Sequence, residues 1–340
     1  MMRGSGLSRR AALAAPLAAM MGNQVNAQPA RPFVLATFGG LWEKILREQL
    51  IPPFERQHGV TVALELGVGS TFLPKVVAGR TRSPYAVVSC NDDEAFLGQD
   101  LGLWLPDQSA QLTNVGSVHP QLRPPAAPLY AQAVYAFPLL YPPAKMPAPT
   151  SWGDLWRPGI TVGVPHISDS YGLTFLYIAA LLNGGDAGNL APGFEAIRRL
   201  PRFKIFKGVT QGFAMYQQRE VDAGLFHWNR ALLLRQGGLD IAWARPREGV
   251  WGQRTGCQIP KGSPSPDLAR AWIDYSLSVP YQAAFAAALY TPSNRQVALP
   301  AELAAQHLSD AEIDALAFPP WHVINPQRDA LLDQWTRAFG

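Results

Sequence analysis

Cysteine is nearly missing from this chain: its 340 residues hold two, Cys90 and Cys257, so a disulfide framework is excluded and at most one bridge can form. Both also suit buried strands, so the sequence leaves open whether they meet. No CxxC or HExxH spacing occurs, which argues against a structural zinc site. Long apolar runs are missing too. The best, Ala11 to Met21, is broken by Pro16 and stopped by Gly22, short of the roughly 20 residues a spanning helix needs. Charge is sparse at 16% of residues, but 48% are hydrophobic, a composition that builds a large core and excludes a disordered chain. No repeat recurs at a solenoid period.

What is present begins with the N-terminus. A basic start, the apolar run and the small-residue stretch "VNAQ" form the order of an export signal, with cleavage expected after Ala27. The Arg9–Arg10 pair after Ser8 points to the twin-arginine route without deciding it against the general one. No cysteine follows the run, so no lipid attachment is expected. Removing residues 1–27 takes away three arginines and no acids, leaving 26 basic against 25 acidic residues. A balance near +1 gives no support to nucleic-acid binding, which needs Lys and Arg clustered on one face. The one basic stretch, "RRLPRFKIFK", alternates Phe203, Ile205 and Phe206 as a strand with solvated flanks does.

The body of the chain repeats one device. "RPFVLATFGG" runs into a helix whose Trp42, Ile45, Leu46 and Leu50 recur on one face, which places Trp42 in the core. "VTVALELGVGSTFLPKVVAG", "PYAVVSCNDDEAFLG", "ITVGVPHISDSYGLTFLYIAALLNGG" and "VDAGLFHWNRALLLRQGG" repeat the order of strand, polar or glycine turn and helix. Such units predict an α/β protein with mostly parallel sheets covered by helices. Asp169 or Ser170 can cap the helix ending near 183–185, and Asn229 the one ending at Gly237. A Pro-rich stretch, "LRPPAAPLYAQAVYAFPLLYPPAKMPAPTSW", separates the first three units from the last two.

Ligands of such sheets gather beyond the strands' carboxyl ends, where helix N-termini bring free N–H groups and partial positive charge. Gly39 and Gly40 lie at such an end, either to let a ligand approach the backbone or simply to make a tight turn. Ser70 and Thr71, Asn91 and Asp92, Asp169, Ser170 and Tyr171, and Trp228 and Asn229 hold equivalent places. Each has a plainer rival role: Asp92 and Asp169 as helix caps, Tyr171 and Tyr290 as packing aromatics, Trp228 as core.

The stretches "LATFGGLWEKILREQLIPPFERQHGV", "SWGDLWRPGITVGVP", "GLFHWNRALLLRQGG", "ARPREGVW", "IPKGSPSPDLARAWIDYSLS" and "LYTPSNRQVALPAEL" together resemble the extracytoplasmic solute-binding proteins of ABC importers, in particular the family that includes the spermidine/putrescine binders. The resemblance implies a two-lobed, type II periplasmic-binding-protein-like α/β fold, each lobe a mostly parallel sheet flanked by helices, with the ligand cleft between. Lobe one would comprise 28–130 and 252–295, lobe two 131–251 and 296–340. It further implies a periplasmic monomer without cofactor or metal that hands a small polar solute to an inner-membrane permease. Carried over onto matching motifs, it points to Trp228 in "HWNRA", Tyr290 in "LYTPSN", the turn Cys90, Asn91 and Asp92, Asp169 in "HISDSY", and His322 in "PWHVIN".

One departure bears on the ligand. Polyamine binders carry an aromatic and an acid where this chain has Gln253 and Thr255, with Arg254 between them. Losing an acid weakens a diamine site, and an arginine there points to a carboxylate on an amino-acid-like zwitterion or organic anion, unless alternation turns Arg254 to solvent. Polyamine binding is the alternative. A further rival is a thiaminase-like enzyme on the same fold using Cys90, although the acids Asp92 and Asp93 beside it oppose a reactive thiolate. No adjacent tyrosine pair suited to ferric iron is present.

Overall fold

The computed structural model describes residues 33–123 and 129–340, together with Met1. Residues 2–27 of the expected export signal lie outside them. Eleven strands build two sheets among the described residues. The first takes β1 (Phe33–Thr37), β2 (Val62–Leu66), β3 (Val87–Asn91), β4 (Tyr130–Phe137), β10 (Trp251–Gln258) and β11 (Thr291–Pro292), in the spatial order β11-β4-β10-β3-β1-β2. The second takes β5 (Leu139–Tyr141), β6 (Val162–Pro165), β7 (Phe203–Phe206), β8 (Ala223–Leu225) and β9 (Ala242–Ala244), ordered β7-β6-β8-β5-β9. Helices cover both, and the α/β reading stands.

The sheets are mixed, not mostly parallel. The strand–helix units do pair in parallel, β1 with β2 and β3, and β6 with β7 and β8. The strands that carry the chain between lobes run the other way: β10 is antiparallel to β3 and β4, and β5 to β8 and β9. A strand arriving from the other lobe needs no crossover helix, so nothing obliges it to run parallel.

Each lobe has its own core. In the first, Phe33, Phe54 and the fully buried Trp272 meet at tilted and edge-on angles, Phe54 and Trp272 with ring centroids 4.9 Å apart. The second is built around Trp152, Phe175, Phe194, Trp321 and Trp335. These partners also place the crossings. The chain leaves the first sheet after Phe137, with Pro138 alone between β4 and β5, beyond the crossing expected at 130–131. Its return also falls later than 295–296: Ile313 and Leu316 still belong to the first core, while Trp321, Leu331 and Trp335 belong to the second.

The helix after β1 follows its apolar spacing, with Trp42, Ile45, Leu46 and Leu50 all buried. It includes one π-helical turn, Leu46–Leu50, just ahead of Pro52 and Pro53. Proline lacks an N–H, and the ring of Pro53 would crowd a regular preceding turn, so the widened turn fits the sequence there. Gly59 ends the helix at φ 62°, a left-handed cap.

Candidate functional site

A cavity of about 280 Å³ lies between the lobes, bounded by the carboxyl ends of β1 and β3, the face of β10, and the N-terminal ends of the helices Ser170–Leu181 and Trp228–Gln236. Of the residues expected at the site, Gly39, Ser70, Asn91 and Thr255 line its first-lobe wall, with Tyr290 beside them. Asp169, Ser170 and Tyr171 line the second-lobe wall. The two glycines divide their roles. Gly39 faces the cavity, whereas Gly40 is exposed at φ 68° and serves the turn.

The other expected residues lie elsewhere, each for a local reason. Thr71 is exposed, its hydroxyl donating to the Val68 carbonyl at 2.8 Å within its own helix turn. Trp228 falls on the outer side of its helix, edge-on to Trp243 at 4.5 Å, with Nε1 donating to the Gln306 carbonyl. It lines a separate groove of about 370 Å³ with Trp243, Arg245 and Glu312. Asn229 does not cap that helix. His227 holds the cap position, and Asn229 is buried in the first turn with Oδ1 unpartnered. His322 is exposed, near Phe96.

Arg254 requires the largest correction. It points neither into the cavity nor to solvent. Strand alternation gives Gln253 and Thr255 to the cavity and sends Arg254 to the opposite face of β10, which is buried as well. There its guanidinium pairs with the fully buried Asp92 at 3.3 Å, donates to the Gln121 carbonyl at 3.1 Å and lies 3.5 Å over the Phe318 ring. Burial pushes the Asp92 carboxyl up to about 7, with Arg254 as the opposing influence. Asp92 and Arg254 therefore hold the first lobe together.

The cavity's cation is instead Arg328, which sequence reasoning missed. It stands at the start of the helix Arg328–Phe339, anchored in the second core by Leu331 and Trp335. One Nη donates to Asp93 of the first lobe at 2.9 Å and the other to the Ser168 carbonyl at 3.1 Å. Asn325 adds a bond to the Asp93 carbonyl oxygen at 2.7 Å, and Gln253 donates to the Ser170 hydroxyl. The lobes are thus bridged across the cavity. Burial would lower the basicity of Arg328, but Asp93, with Glu94 and Asp169, holds it above the usual range.

Among the described residues three acids line the cavity, Asp93, Glu94 and Asp169, against this one guanidinium. Asp169 sits at the cap position of its helix, yet its carboxylate accepts from the Gly208 N–H at 2.8 Å rather than capping. Burial, with Asp93 alongside, pushes Glu94 up to about 8. Aromatic faces from Phe38, Trp42, Tyr135, Tyr171 and Tyr290 complete the walls. Burial drives His227 down to about 3, helped by Arg230, so its imidazole is neutral at physiological pH.

Four buried polar atoms of cavity-lining residues have no partner among the described residues: Trp42 Nε1, Asp93 Oδ1, Tyr171 Oη and His227 Nε2. Such atoms lose about 1–3 kcal/mol each when left unbonded, so their convergence on one cavity marks a place built for a polar guest. Trp42 is therefore both a core residue, as its spacing implies, and part of this wall.

Cys90 and Cys257 lie on the neighbouring strands β3 and β10, both buried and both free thiols. Burial raises the Cys90 thiol well above its ordinary value, and the acids Glu94, Asp93 and Asp92 add to this. Among the described residues no group of His, Cys, Asp and Glu is arranged to hold a metal ion, and no helix is long and apolar enough to cross a membrane.

Comparison with known proteins agrees with this architecture. An ABC transporter structure from Clostridium perfringens superposes with a TM-score of 0.79 at 23% identity, covering 91% of this chain and all of the other. An ABC transporter substrate-binding protein from Bradyrhizobium japonicum gives 0.73 at 18%, covering 91% and 99%. A structure described as a GABA receptor gives 0.74 at 18%, covering 90% and 96%. No curated protein sequence matches. Residues 36–290 match the family model of the bacterial extracellular solute-binding proteins, and the chain belongs to that family.

Proposed function

We propose that the protein captures a small, amine-bearing, amino-acid-like solute outside the cytoplasm and delivers it to an ABC permease. The observation that carries the solute class is that Asp93 and Asp169, with the largely protonated Glu94, outnumber Arg328 on the same cavity that gathers the four unpartnered polar atoms. A protonated amine answers that excess and is further held by tyrosine faces. Tyr171 and His227, on the second-lobe side with Arg328, supply partners for a carboxylate or hydroxyl at the other end. The structural likeness to a protein described as a GABA receptor, and to one described in complex with agropinic acid, is consistent with such a solute.

A plain polyamine fits less well. Gln253 and Thr255, which stand where polyamine binders carry an aromatic and an acid, both face the cavity, so that change falls on the ligand. Arg328 would repel a second ammonium. The buried, poorly acidic Cys90 favours binding over thiol chemistry. Delivery to a permease requires export, for which the signal over 1–27 is the proposed means, with the protein acting as a monomer. A thermal-shift panel of γ-aminobutyrate, putrescine, succinate and fructose 6-phosphate tests the solute class. The amino acid should raise the melting temperature most, and a larger response to succinate or the sugar phosphate would overturn the reading.

A further inference from the structure

The first-lobe wall of the cavity contains a carboxyl group seated where an anion would otherwise bind. We propose that Glu94 sets the charge selectivity of that wall: its carboxyl group occupies the N-terminus of the helix Gly69–Ala78 and bars carboxylate- or phosphate-bearing groups from it. This rests on the reading of the cavity as a solute site and deepens it, because it assigns the amine end of the solute to the first lobe.

A ten-residue helix ending at a ligand cavity ordinarily offers its free N–H groups to an anion. Here Glu94 accepts from one of them, Ser70, while Thr71 and Phe72 donate to the Val68 carbonyl. Glu94 approaches the first residue of that helix so closely that a Cβ on Gly69 would lie 2.1 Å from the Glu94 carboxyl carbon, so any larger residue there would displace the carboxyl. The Ser70 N–H donates to the carboxylate, and so does the Asn91 N–H at 3.0 Å, which begins Glu94's own helix, Asp92–Asp100. One side chain thus satisfies donors from two helix starts. Glu94 nevertheless lines the cavity while being only 7% exposed, and the unpartnered Asp93 Oδ1 lies next to it in sequence and on the same cavity. An incoming anion would meet Asp93 and, where the Ser70 N–H would face it, the Glu94 carboxyl. An amine would meet carboxyl oxygens, the unpartnered Asp93 Oδ1 among them.

The test compares the full-length exported protein with Glu94→Ala, which frees the Ser70 and Asn91 N–H groups, and Glu94→Gln, which keeps the length and replaces the carboxyl with an amide. Each is titrated calorimetrically with inorganic phosphate, succinate and γ-aminobutyrate. Phosphate or succinate affinity should rise about tenfold or more in Glu94→Ala and by less in Glu94→Gln, while γ-aminobutyrate binds either variant more weakly than the wild type. Folding is checked by circular dichroism, and if Glu94→Ala does not fold, Glu94→Gln alone decides. Unchanged anion affinity in the folded variants, or wild-type protein that already binds phosphate as tightly as they do, overturns the proposal. Failure of the wild type to bind γ-aminobutyrate would instead sink the amino-acid reading, since the anion comparison does not depend on it.

Discussion

Replacing Arg254 with alanine separates a structural role from a ligand-binding one. The guanidinium lies on the far side of β10 from Gln253 and Thr255, so its loss should change solute affinity by less than about twofold, well under the 1.4 kcal/mol that a tenfold change represents. The cost appears in stability. Asp92 is fully buried and keeps only backbone donors once Arg254 is gone, a stranded charge that costs about 3–5 kcal/mol when one partner of a buried pair is removed. At about 2 °C per kcal/mol for a chain of this size, the melting temperature should fall roughly 6–10 °C. The loss should also depend on pH. The folded-state pKa of Asp92 is raised, so its contribution is complete below the unfolded value near 4 and declines as pH rises through about 7. Without Arg254 that pKa moves higher still. The variant should therefore sit closest to wild type at pH 5, where Asp92 is already protonated, and furthest from it at pH 8. Asp92→Asn combined with Arg254→Met should lose less than Arg254→Ala alone, because no charge is left stranded. Calorimetric melts at the two pH values, with titration of the best solute, decide the matter. A fall under about 2 °C at pH 8, or a tenfold loss of affinity, would refute the assignment.

Three further outcomes are expected. Arg328→Ala removes both a cavity cation and an interlobe bond, so it should weaken solute binding about tenfold or more and enlarge the radius of gyration of the empty protein in small-angle scattering; unchanged values of both would contradict the bridge. Trp228→Ala should lower the melting temperature by an amount equivalent to about 1–3 kcal/mol and leave affinity nearly intact, because Trp228 packs on Trp243 outside the cavity; the reverse pattern, seen by calorimetry, would return it to the solute site. The depressed folded pKa of His227 makes its contribution complete above the unfolded value near 6.5 and lost as pH falls toward 3. Wild type should thus lose about 2–3 kcal/mol from this group between pH 7 and 4.5, and His227→Phe should flatten that limb in denaturant titrations.

The strand–helix units were legible because their apolar spacing is local, and the helix beginning at Leu41 buries the very residues its period selects. The surroundings of β10 were not. "WGQRTGCQ" reads as a strand with a polar face, yet every residue in it is buried, since it is inserted between β3 and β4 from far along the chain. That insertion takes Arg254 from solvent to Asp92. In "HWNRA" the tryptophan drew attention, but the junction with the helix sends His227 to the cavity and Trp228 outward. The only local sign for Arg328 was a cation at the head of a helix with an apolar stripe. Its partner Asp93 lies 235 positions earlier, a pairing no local pattern can express.

The place of β10 also imposes an order in time. The second sheet is drawn from one unbroken stretch, Leu139 to Ala244, so all its strands exist once that stretch has left the ribosome. The first sheet begins 106 residues earlier than the second, by first residue, Phe33 against Leu139, but must wait for β10 before β3 and β4 can be joined. Its N-terminal strands therefore spend the synthesis of the whole second sheet with an open edge. Domains fold as units when their contacts are available, which makes the sheet that starts later the first to have all its strands, although its lobe still waits for Trp321, Leu331 and Trp335.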